Sequence, residues 1–213
     1  MVAVPDAVSD EQAALVEPTA VTFHAVRRTA FALGSLVVVQ GAGPIGPLTA
    51  MHARAAGAGR VIVVEPSAPR REVATGLGFS DVVAPGDGFT QLLGDVTAGP
   101  GADVLFECTG AAPLLQPSAE LVRRGGTLAL LGFPLASSTV SYGDWQIREL
   151  TVIGSLAYTH ADFAGALNAI AGGAVDVSPL HTGTVGLDEL QATLELLDSG
   201  RSSHAKVLVD PRR

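Results

Sequence analysis

The sequence contains very little cysteine and lysine. Its one cysteine, Cys108, excludes an intrachain disulfide framework and a zinc site built from several cysteines. This cysteine usage fits a reducing compartment, so we predict a cytoplasmic location. The one lysine, Lys206, leaves arginine as almost the only cation, and at a net charge of −8 there is no basic stripe. We therefore expect no nucleic acid among the partners.

Long uninterrupted hydrophobic runs are also missing. Residues 29–53 carry no Asp, Glu, Lys or Arg and are long enough to cross a bilayer, but glycine and proline residues interrupt them. The N-terminus carries acidic residues in place of the basic and apolar regions of a signal peptide. We therefore expect no membrane partner and no secretory signal.

What the sequence does contain is a regular alternation of short apolar runs and helical patterns. The runs rich in Val, Leu and Ile predict six strands, at residues 36–40, 61–65, 81–84, 102–107, 126–131 and 150–156. The helical patterns predict five helices, at residues 44–57, 68–77, 89–97, 112–123 and 160–172. Strands that are apolar on both faces are typical of a parallel sheet covered by helices. The predicted fold class is therefore α/β, a doubly wound parallel six-stranded Rossmann sheet with strand order 3-2-1-4-5-6.

The chain divides into three predicted segments. Residues 1–33 carry two short helical patterns, and residues 34–175 form the dinucleotide-binding Rossmann domain. Residues 176–213 form a C-terminal return segment. This segment is predicted to hold a helix at 187–199 and a strand at 205–209, which the six-stranded sheet does not need.

A glycine-rich turn follows the first predicted strand. Gly41-Ala-Gly-Pro-Ile-Gly46 has G-x-G-x-x-G spacing, which provides a tight turn, close approach of the backbone to a pyrophosphate, and helix packing. Glu65 ends the next strand, where its carboxylate can accept hydrogen bonds from the adenosine ribose hydroxyls. The strand order places a ligand across residues 41–46 and 107–110, at the topological switch point.

The carboxylate of Glu65 also bears on the choice of cofactor. Its charge would repel a 2′-phosphate at the ribose, which favours NAD over NADP. The adjacent pair Arg70-Arg71 favours NADP instead, because either guanidinium could hold the 2′-phosphate if Glu65 turned away.

Several stretches, in order, resemble the zinc-type medium-chain alcohol and polyol dehydrogenases. They are "AALVEP", "GAGPIG", "ARAAGAGRVIVVEPSAPRR", "GADVLFECTG", "RRGGTLALLGF" and "GSLAYTHADFAGAL". The pattern is similar to the cofactor domain of the butanediol, sorbitol and threonine dehydrogenase branch, and the resemblance covers nearly the whole chain.

The resemblance implies a role for particular residues along a bound cofactor. It places the pyrophosphate against Gly41, Gly43, Pro44, Ile45 and Gly46. It places the adenosine ribose against Glu65 and Arg70. It places the nicotinamide end against Cys108, Thr109, Gly110, Leu131, Gly132 and Phe133.

The resemblance also implies that a catalytic domain is lacking. Members of this family begin with a domain that supplies a cysteine and a His-Glu pair to zinc, so residues 1–33 are interpreted as remnant helices of its junction. Glu17 in "LVEP" matches a further carboxylate of that metal site and is the only candidate ligand left. The histidines are dispersed, so we expect no zinc in this chain alone. A separate catalytic-domain chain is a candidate partner.

Other polar residues have mostly structural interpretations. Tyr158 and His160, after the sixth strand, are weak candidates for a replacement catalytic acid, and Glu17 is a third. We interpret His24 as a packing or hydrogen-bonding residue and Cys108 as a small buried residue. Asp103, Glu107 and Asp162 are interpreted as turn or cap residues near element ends.

Two classes of function remain open on the sequence. The first is hydride transfer between NAD and a small secondary alcohol or ketone, without zinc or with a partner domain. The second is a non-redox nucleotide-binding module or a repurposed pathway enzyme, since fold does not fix function. In either case the apolar strand at 150–156 predicts a homodimer, because relatives pair through the matching edge strand.

Overall fold

The main body of the molecule is a parallel sheet between two layers of helices. The computed structural model describes residues 2–97, 99, 101–199, 202 and 204–213. Within these residues the sheet has the strand order β3-β2-β1-β4-β5-β6, with every neighbouring pair parallel. Its strands are β1 Leu36–Gln40, β2 Arg60–Val64, β3 Asp81–Val83, β4 Ala102–Glu107, β5 Val122–Leu130 and β6 Thr151–Gly154. The predicted fold class and strand order are confirmed.

The helices cover both faces of this sheet. They are α1 Asp10–Ala14, α2 Val16–Arg28, α3 Gly46–Ala55, α4 Ala68–Gly76, α5 Asp87–Thr97, α6 Leu115–Glu120, α7 Tyr142–Ile147, α8 His160–Ala171 and α9 Leu190–Asp198. Side chains of α2, α3, α4 and α8 share one apolar cluster, while those of α5 and α6 share a second. Successive residues of β1 explain the two layers, because Val37 and Val39 face the first cluster and Val38 faces the second.

Two predicted boundaries were wrong around β5. The predicted helix over 112–123 is a short 3-10 turn followed by α6, and β5 begins at Val122, inside that range. The guanidinium of Arg148 donates to the carbonyl oxygens of Ala119, Glu120 and Val122, which satisfies the end of α6. Helix α7 was not predicted, and it buries none of its six residues, so it leaves no apolar periodicity in the sequence.

The C-terminal segment forms a separate small sheet. Strand β7, His181–Val185, pairs in parallel with β8, Lys206–Val209. The strand predicted at 205–209 is therefore outside the six-stranded sheet, as expected, whereas β7 was not predicted. The sixth strand is also shorter than predicted, because β6 covers four residues. No helix in the described part of the chain is long and apolar enough to span a bilayer.

Candidate nucleotide site

The glycine-rich turn lies at the carboxyl end of β1, folded tightly against its neighbours. The Gly41 amide donates to the Val64 carbonyl at 2.8 Å, which ties the turn to β2. A Cβ atom on Gly46 would lie 1.8 Å from the Gly41 carbonyl oxygen, so only glycine permits α3 to start this close to the turn. The sequence-based assignment of a tight turn and close packing at these two glycines is confirmed.

The middle of the turn faces open space. A Cβ atom on Gly43 would meet no atom within 4 Å among the described residues, so the backbone there is accessible to a ligand. Helix α3 begins directly after Pro44 and Ile45, and unpaired amides at a helix start favour an anion. Pro47 lies in the first turn of α3, where its missing N–H removes no interior hydrogen bond.

Three loops meet at the switch point between β1 and β4. A Cβ atom on Gly41 would lie 3.0 Å from the Thr109 methyl group, so the β1 and β4 loops touch. Gly110 has a φ of +66°, and a Cβ on Gly132 would lie 2.0 Å from the Gly110 amide nitrogen. A Cβ on Gly110 would lie 2.6 Å from the Phe133 carbonyl oxygen. The structure thus brings together the groups assigned to the pyrophosphate and the nicotinamide end.

Glu107 holds the β4 loop in shape. Its buried carboxylate accepts from the Thr109 amide at 2.8 Å, from the Thr109 hydroxyl, and from the Gly110 amide at 3.1 Å. Its interpretation as a turn residue is confirmed. The Leu131 and Gly132 amides both donate to the Glu107 carbonyl oxygen at 2.9 Å, so this residue also fixes the β5 loop.

Glu65 is buried at the carboxyl end of β2 and already has two backbone partners. One carboxylate oxygen accepts from the Ala42 amide at 2.7 Å, and the other accepts from the Ser67 amide at 2.8 Å. Each carboxylate oxygen offers two lone pairs, so a ribose hydroxyl can still be accepted. Sequence reasoning missed the link to Ala42, since nothing in the G-x-G-x-x-G spacing indicates which side chain holds the turn.

The two candidate arginines after Glu65 differ in their surroundings. Arg71 donates to the carbonyl oxygens of Glu65 and Pro66 at 2.8 and 2.7 Å, so its guanidinium is engaged by the backbone. Arg70 is exposed and, among the described residues, makes no hydrogen bond or ion pair. It lines a pocket of roughly 270 Å³ beside the glycine-rich turn. The whole guanidinium of Arg70 is therefore available to a cofactor, whereas one nitrogen of Arg71 is already engaged.

Part of the lining of this pocket comes from the C-terminal segment. His204 and Lys206 line it together with Leu197 of α9, and Gly43 and Pro44 of the turn line it as well. Sequence reasoning did not assign either basic residue to the nucleotide site, because about 160 residues of chain separate them from the turn. The fold of the return segment brings them there.

Cys108 lies at the nicotinamide end and is half-buried. Its sulfur lies 3.8 Å from the Thr49 hydroxyl oxygen. Burial raises the pKa of the Cys108 thiol to about 12, the Thr49 hydrogen bond opposes this rise, and the charge of Glu107 adds to it. The thiol is therefore protonated at neutral pH, which agrees with a packing role and excludes a reactive thiolate.

The carboxylate of Asp162 engages His24 in a structural contact. Its buried carboxylate caps α8 through Thr159 and lies 2.7 Å from His24 Nδ1 and 2.8 Å from Arg27 Nε, both on α2. Burial alone would raise the pKa of Asp162, but hydrogen bonds from Thr159 and His24 and the charge of Arg27 lower it to about 2. The cap interpretation of Asp162 is confirmed, and the same carboxylate joins α2 to α8.

The weak catalytic candidates are not brought together. Tyr158 packs against Phe163 with ring centroids 5.8 Å apart, His160 is the exposed first residue of α8, and Glu17 lies exposed in the first turn of α2. Their catalytic roles stay predictions. The described residues contain no group of three or more His, Cys, Asp or Glu side chains placed to hold a metal. Glu17 alone cannot make a catalytic zinc site, which needs about three protein ligands.

Comparison with known proteins agrees with this geometry. A family model described as zinc-binding dehydrogenase matches residues 44–172, which is more than half of the chain. The chain belongs to the zinc-binding dehydrogenase family. Human sorbitol dehydrogenase is 34% identical over 212 residues, covering 97% of this chain and 58% of the relative.

Solved structures of family members have the same fold. The 2R,3R-butanediol dehydrogenase of Bacillus subtilis is 33% identical with a TM-score of 0.88, covering 98% of this chain and 60% of that one. A zinc-binding dehydrogenase from Sinorhizobium meliloti 1021, bound to NADP, is 31% identical with a TM-score of 0.86, covering 98% of this chain and 61% of that one. The chain thus spans about 60% of the length of these zinc-binding dehydrogenases.

Proposed function

We propose that this chain binds NAD(H) and that the bound nicotinamide exchanges a hydride with a small secondary alcohol or ketone. The observation that carries the proposal is the open backbone at Gly43, beside loops whose glycines are packed too closely for any side chain. The pyrophosphate would lie against this backbone and the start of α3. When bound, the cofactor supplies the redox chemistry, and the protein supplies position and electrostatics.

NAD is the proposed cofactor, with NADP as the alternative. The buried Glu65 carboxylate supports NAD, because a 2′-phosphate beside it would be repelled and poorly solvated. The exposed Arg70 and the NADP bound to the Sinorhizobium meliloti relative support the alternative.

We further propose that additional protein, in the same polypeptide or in a separate catalytic-domain chain, completes the substrate site. The chain spans only about 60% of its relatives, and specificity would then depend on a wall that this segment does not contain. Residues 1–33 and 176–213 would form the junction around the dinucleotide-binding domain at 34–175. Exposed Leu187, Leu194 and Leu196 in the C-terminal segment support this, since such side chains favour a covered surface.

Nucleic acids and membranes are not proposed partners, and the single cysteine supports a cytoplasmic location.

Cofactor binding can be measured by NADH fluorescence. We expect enhanced, blue-shifted emission on binding, and we expect Glu65→Ala to weaken binding by about tenfold or more, through loss of the ribose acceptor and a looser turn. Glu72→Ala is the matched control, because Glu72 is an exposed carboxylate on the neighbouring helix α4. If neither NADH nor NADPH binds the wild-type protein, the proposed function is wrong.

Oxidation of small diols, with and without a candidate catalytic-domain chain, then distinguishes an enzyme from a non-redox module.

We also propose a homodimer that pairs through β6. This strand is at the edge of the six-stranded sheet, with a strand neighbour on one side among the described residues, and Val152 on it is 38% exposed, so the free edge favours a second copy. Val152→Lys should shift the protein from dimer to monomer in light scattering at micromolar concentration. Val209→Lys on β8 is the matched control, because Val209 is 39% exposed. A monomeric wild-type protein would refute the dimer.

A further inference from the structure

A second pocket lies at the opposite end of α3 from the glycine-rich turn. Its volume is roughly 420 Å³, and it lies among the carboxyl-terminal halves of α2, α3 and α8 and the segments that follow α2 and α8. Much of its lining is apolar, including Phe23, Val26, Phe31, Ala169 and Val175. Helix α3 rises about 1.5 Å per residue, so its length puts about 15 Å between the start of α3 and this pocket. We call it the helix-end pocket, and it is separate from the nucleotide site.

One side chain in the lining carries an unsatisfied polar atom. His52 on α3 is 4% exposed, and its Nε2 has no hydrogen-bond partner among the described residues. Its other ring nitrogen, Nδ1, lies 2.9 Å from the Thr22 hydroxyl oxygen, which itself lies 3.0 Å from the Thr19 carbonyl oxygen. Leaving a buried nitrogen unpaired is costly, so Nε2 offers a hydrogen-bonding position to an occupant of the pocket.

A hydroxyl group suits this nitrogen. Burial lowers the pKa of His52 to about 4, so the ring is neutral at pH 7 and one of its nitrogens carries the proton. A hydroxyl both donates and accepts, so it can pair with Nε2 in either tautomer. A water molecule needs about two to four polar partners, whereas the Thr29 hydroxyl in the lining already donates to the Val26 carbonyl. An apolar molecule that carries one hydroxyl therefore matches the pocket better than water does.

The charges around the pocket favour a neutral occupant. Three helices end around it, and the partial negative charge at their carbonyl ends disfavours an anion. Among the described residues of the lining, Arg27 alone carries a charge, which disfavours a cation, and its Nε is already 2.8 Å from Asp162. Phe23 and Phe31 present aromatic rings, and pairs of aromatic rings gain affinity beyond the area that they bury.

We propose that the helix-end pocket binds a small neutral phenol, whose hydroxyl pairs with His52 Nε2 once the Phe23 ring turns aside. Nε2 is buried in this structure, so a ligand has to displace a neighbour to reach it. Phe23 is that neighbour, because its ring stands edge-on to the imidazole with centroids 5.6 Å apart, lines the pocket and is only half-buried. The inference does not depend on the proposed nucleotide function.

The test compares p-cresol with p-xylene, which has the same shape but a methyl group in place of the hydroxyl. Titration calorimetry should show that p-cresol binds the wild-type protein and that His52→Leu weakens this binding about fivefold, the worth of one net hydrogen bond. Binding of p-xylene should change by less than about twofold, because p-xylene makes no hydrogen bond. His181→Leu is the matched control, since His181 lies outside the pocket. Equal losses for both ligands would overturn the role of Nε2.

Two further measurements locate the hydroxyl and check the charge of the ligand. In protein with isotope-labelled histidine, p-cresol should shift the nitrogen resonance of His52 Nε2, whereas p-xylene should leave it nearly unchanged. p-Toluate, which carries a carboxylate on the same ring, should not bind measurably. Tighter binding of p-toluate than of p-cresol would overturn the neutral class of ligand.

A blocking variant tests the location of the site. Ala169→Phe places a ring in the pocket from α8 and should abolish binding of both p-cresol and p-xylene. Ala161→Phe is its control, because Ala161 is exposed at the other end of the same helix. Ala55→Phe, at an exposed lining position on α3, replaces Ala169→Phe if thermal unfolding shows that the latter does not fold. Undiminished p-cresol binding in a folded blocking variant would show that the ligand binds elsewhere.

Failure of this inference can be told apart from failure of the proposed nucleotide function. If NADH binds the wild-type protein but p-cresol and p-xylene do not, the pocket holds water only and this inference alone is wrong. If p-cresol binds with the expected dependence on His52 but NADH and NADPH do not bind, the nucleotide function is wrong and the phenol site stands.

Discussion

The two sheets of this molecule are built in opposite ways. In the six-stranded sheet, central residues such as Val38, Leu105 and Phe106 are completely buried between two helical layers. In the two-stranded sheet, no residue of β7 or β8 is fully buried, and Val209 remains 39% exposed. A pair of strands is marginally stable by itself. The larger sheet therefore provides most of the stability, while the smaller one places His204 and Lys206 beside the glycine-rich turn.

The largest expected effect is on the centre of the six-stranded sheet. Phe106→Ala removes a ring that is fully buried in β4, and we expect a loss of about 3–5 kcal/mol in the free energy of unfolding. Urea denaturation followed by circular dichroism measures it. A loss below about 1 kcal/mol would show that stability is not concentrated in the central strands.

A second prediction concerns histidines associated with the two sheets. His52 of α3 is buried, with Nδ1 2.9 Å from the Thr22 hydroxyl oxygen and Nε2 without a partner among the described residues. Burial lowers the pKa of His52 from 6.5 to about 4, and a hydrogen bond to the Leu48 backbone opposes this shift. The unfolded chain therefore takes up a proton first as the pH falls, and stability is lost between about pH 6.5 and 4.

The size of that loss can be measured directly. We expect the His52 contribution to be about 3 kcal/mol over this interval and to disappear in His52→Leu. His204→Gln, which changes an exposed histidine beside the small sheet, is the control variant. An unchanged slope in His52→Leu would contradict the assignment.

The smallest expected effect lies in the two-stranded sheet. Val209→Ala should change the free energy of unfolding by less than about 0.5–1 kcal/mol, because the side chain is already partly in solvent. The same urea experiment applies. A loss comparable to that of Phe106→Ala would mean that the small sheet is an integral part of the core.

The same contrast explains what could be predicted from the sequence. The apolar runs of β1 and β4 are buried on both faces, so their composition indicates a parallel sheet. The alternation of strands with helices along the chain then restricts the strand order. Strand β7, "HTGTV", has no such signal, because its half-buried residues become a strand only by pairing with β8. Helix α7 exposes or half-exposes all of its residues and likewise leaves no pattern.

The residues of the candidate site also divide into those that the sequence could predict and those that depend on the tertiary fold. Gly41, Gly43 and Gly46 could be assigned from spacing, because each performs a local backbone task. His204 and Lys206 could not, because their place beside the turn depends on where the return segment folds. The contact between Glu65 and the Ala42 amide is also tertiary, joining residues at the ends of two different strands.

The contact between Glu65 and the Ala42 amide would make the proposed preference for NAD hard to change in a single step. Replacing Glu65 to admit a 2′-phosphate would also remove the acceptor of the Ala42 amide and loosen the turn that is proposed to receive the pyrophosphate. An engineered or evolving NADP-dependent variant would need a second change that restores this acceptor before the first became useful. If the chain binds NAD as proposed, selectivity for the ribose and the shape of the glycine-rich turn depend on the same side chain.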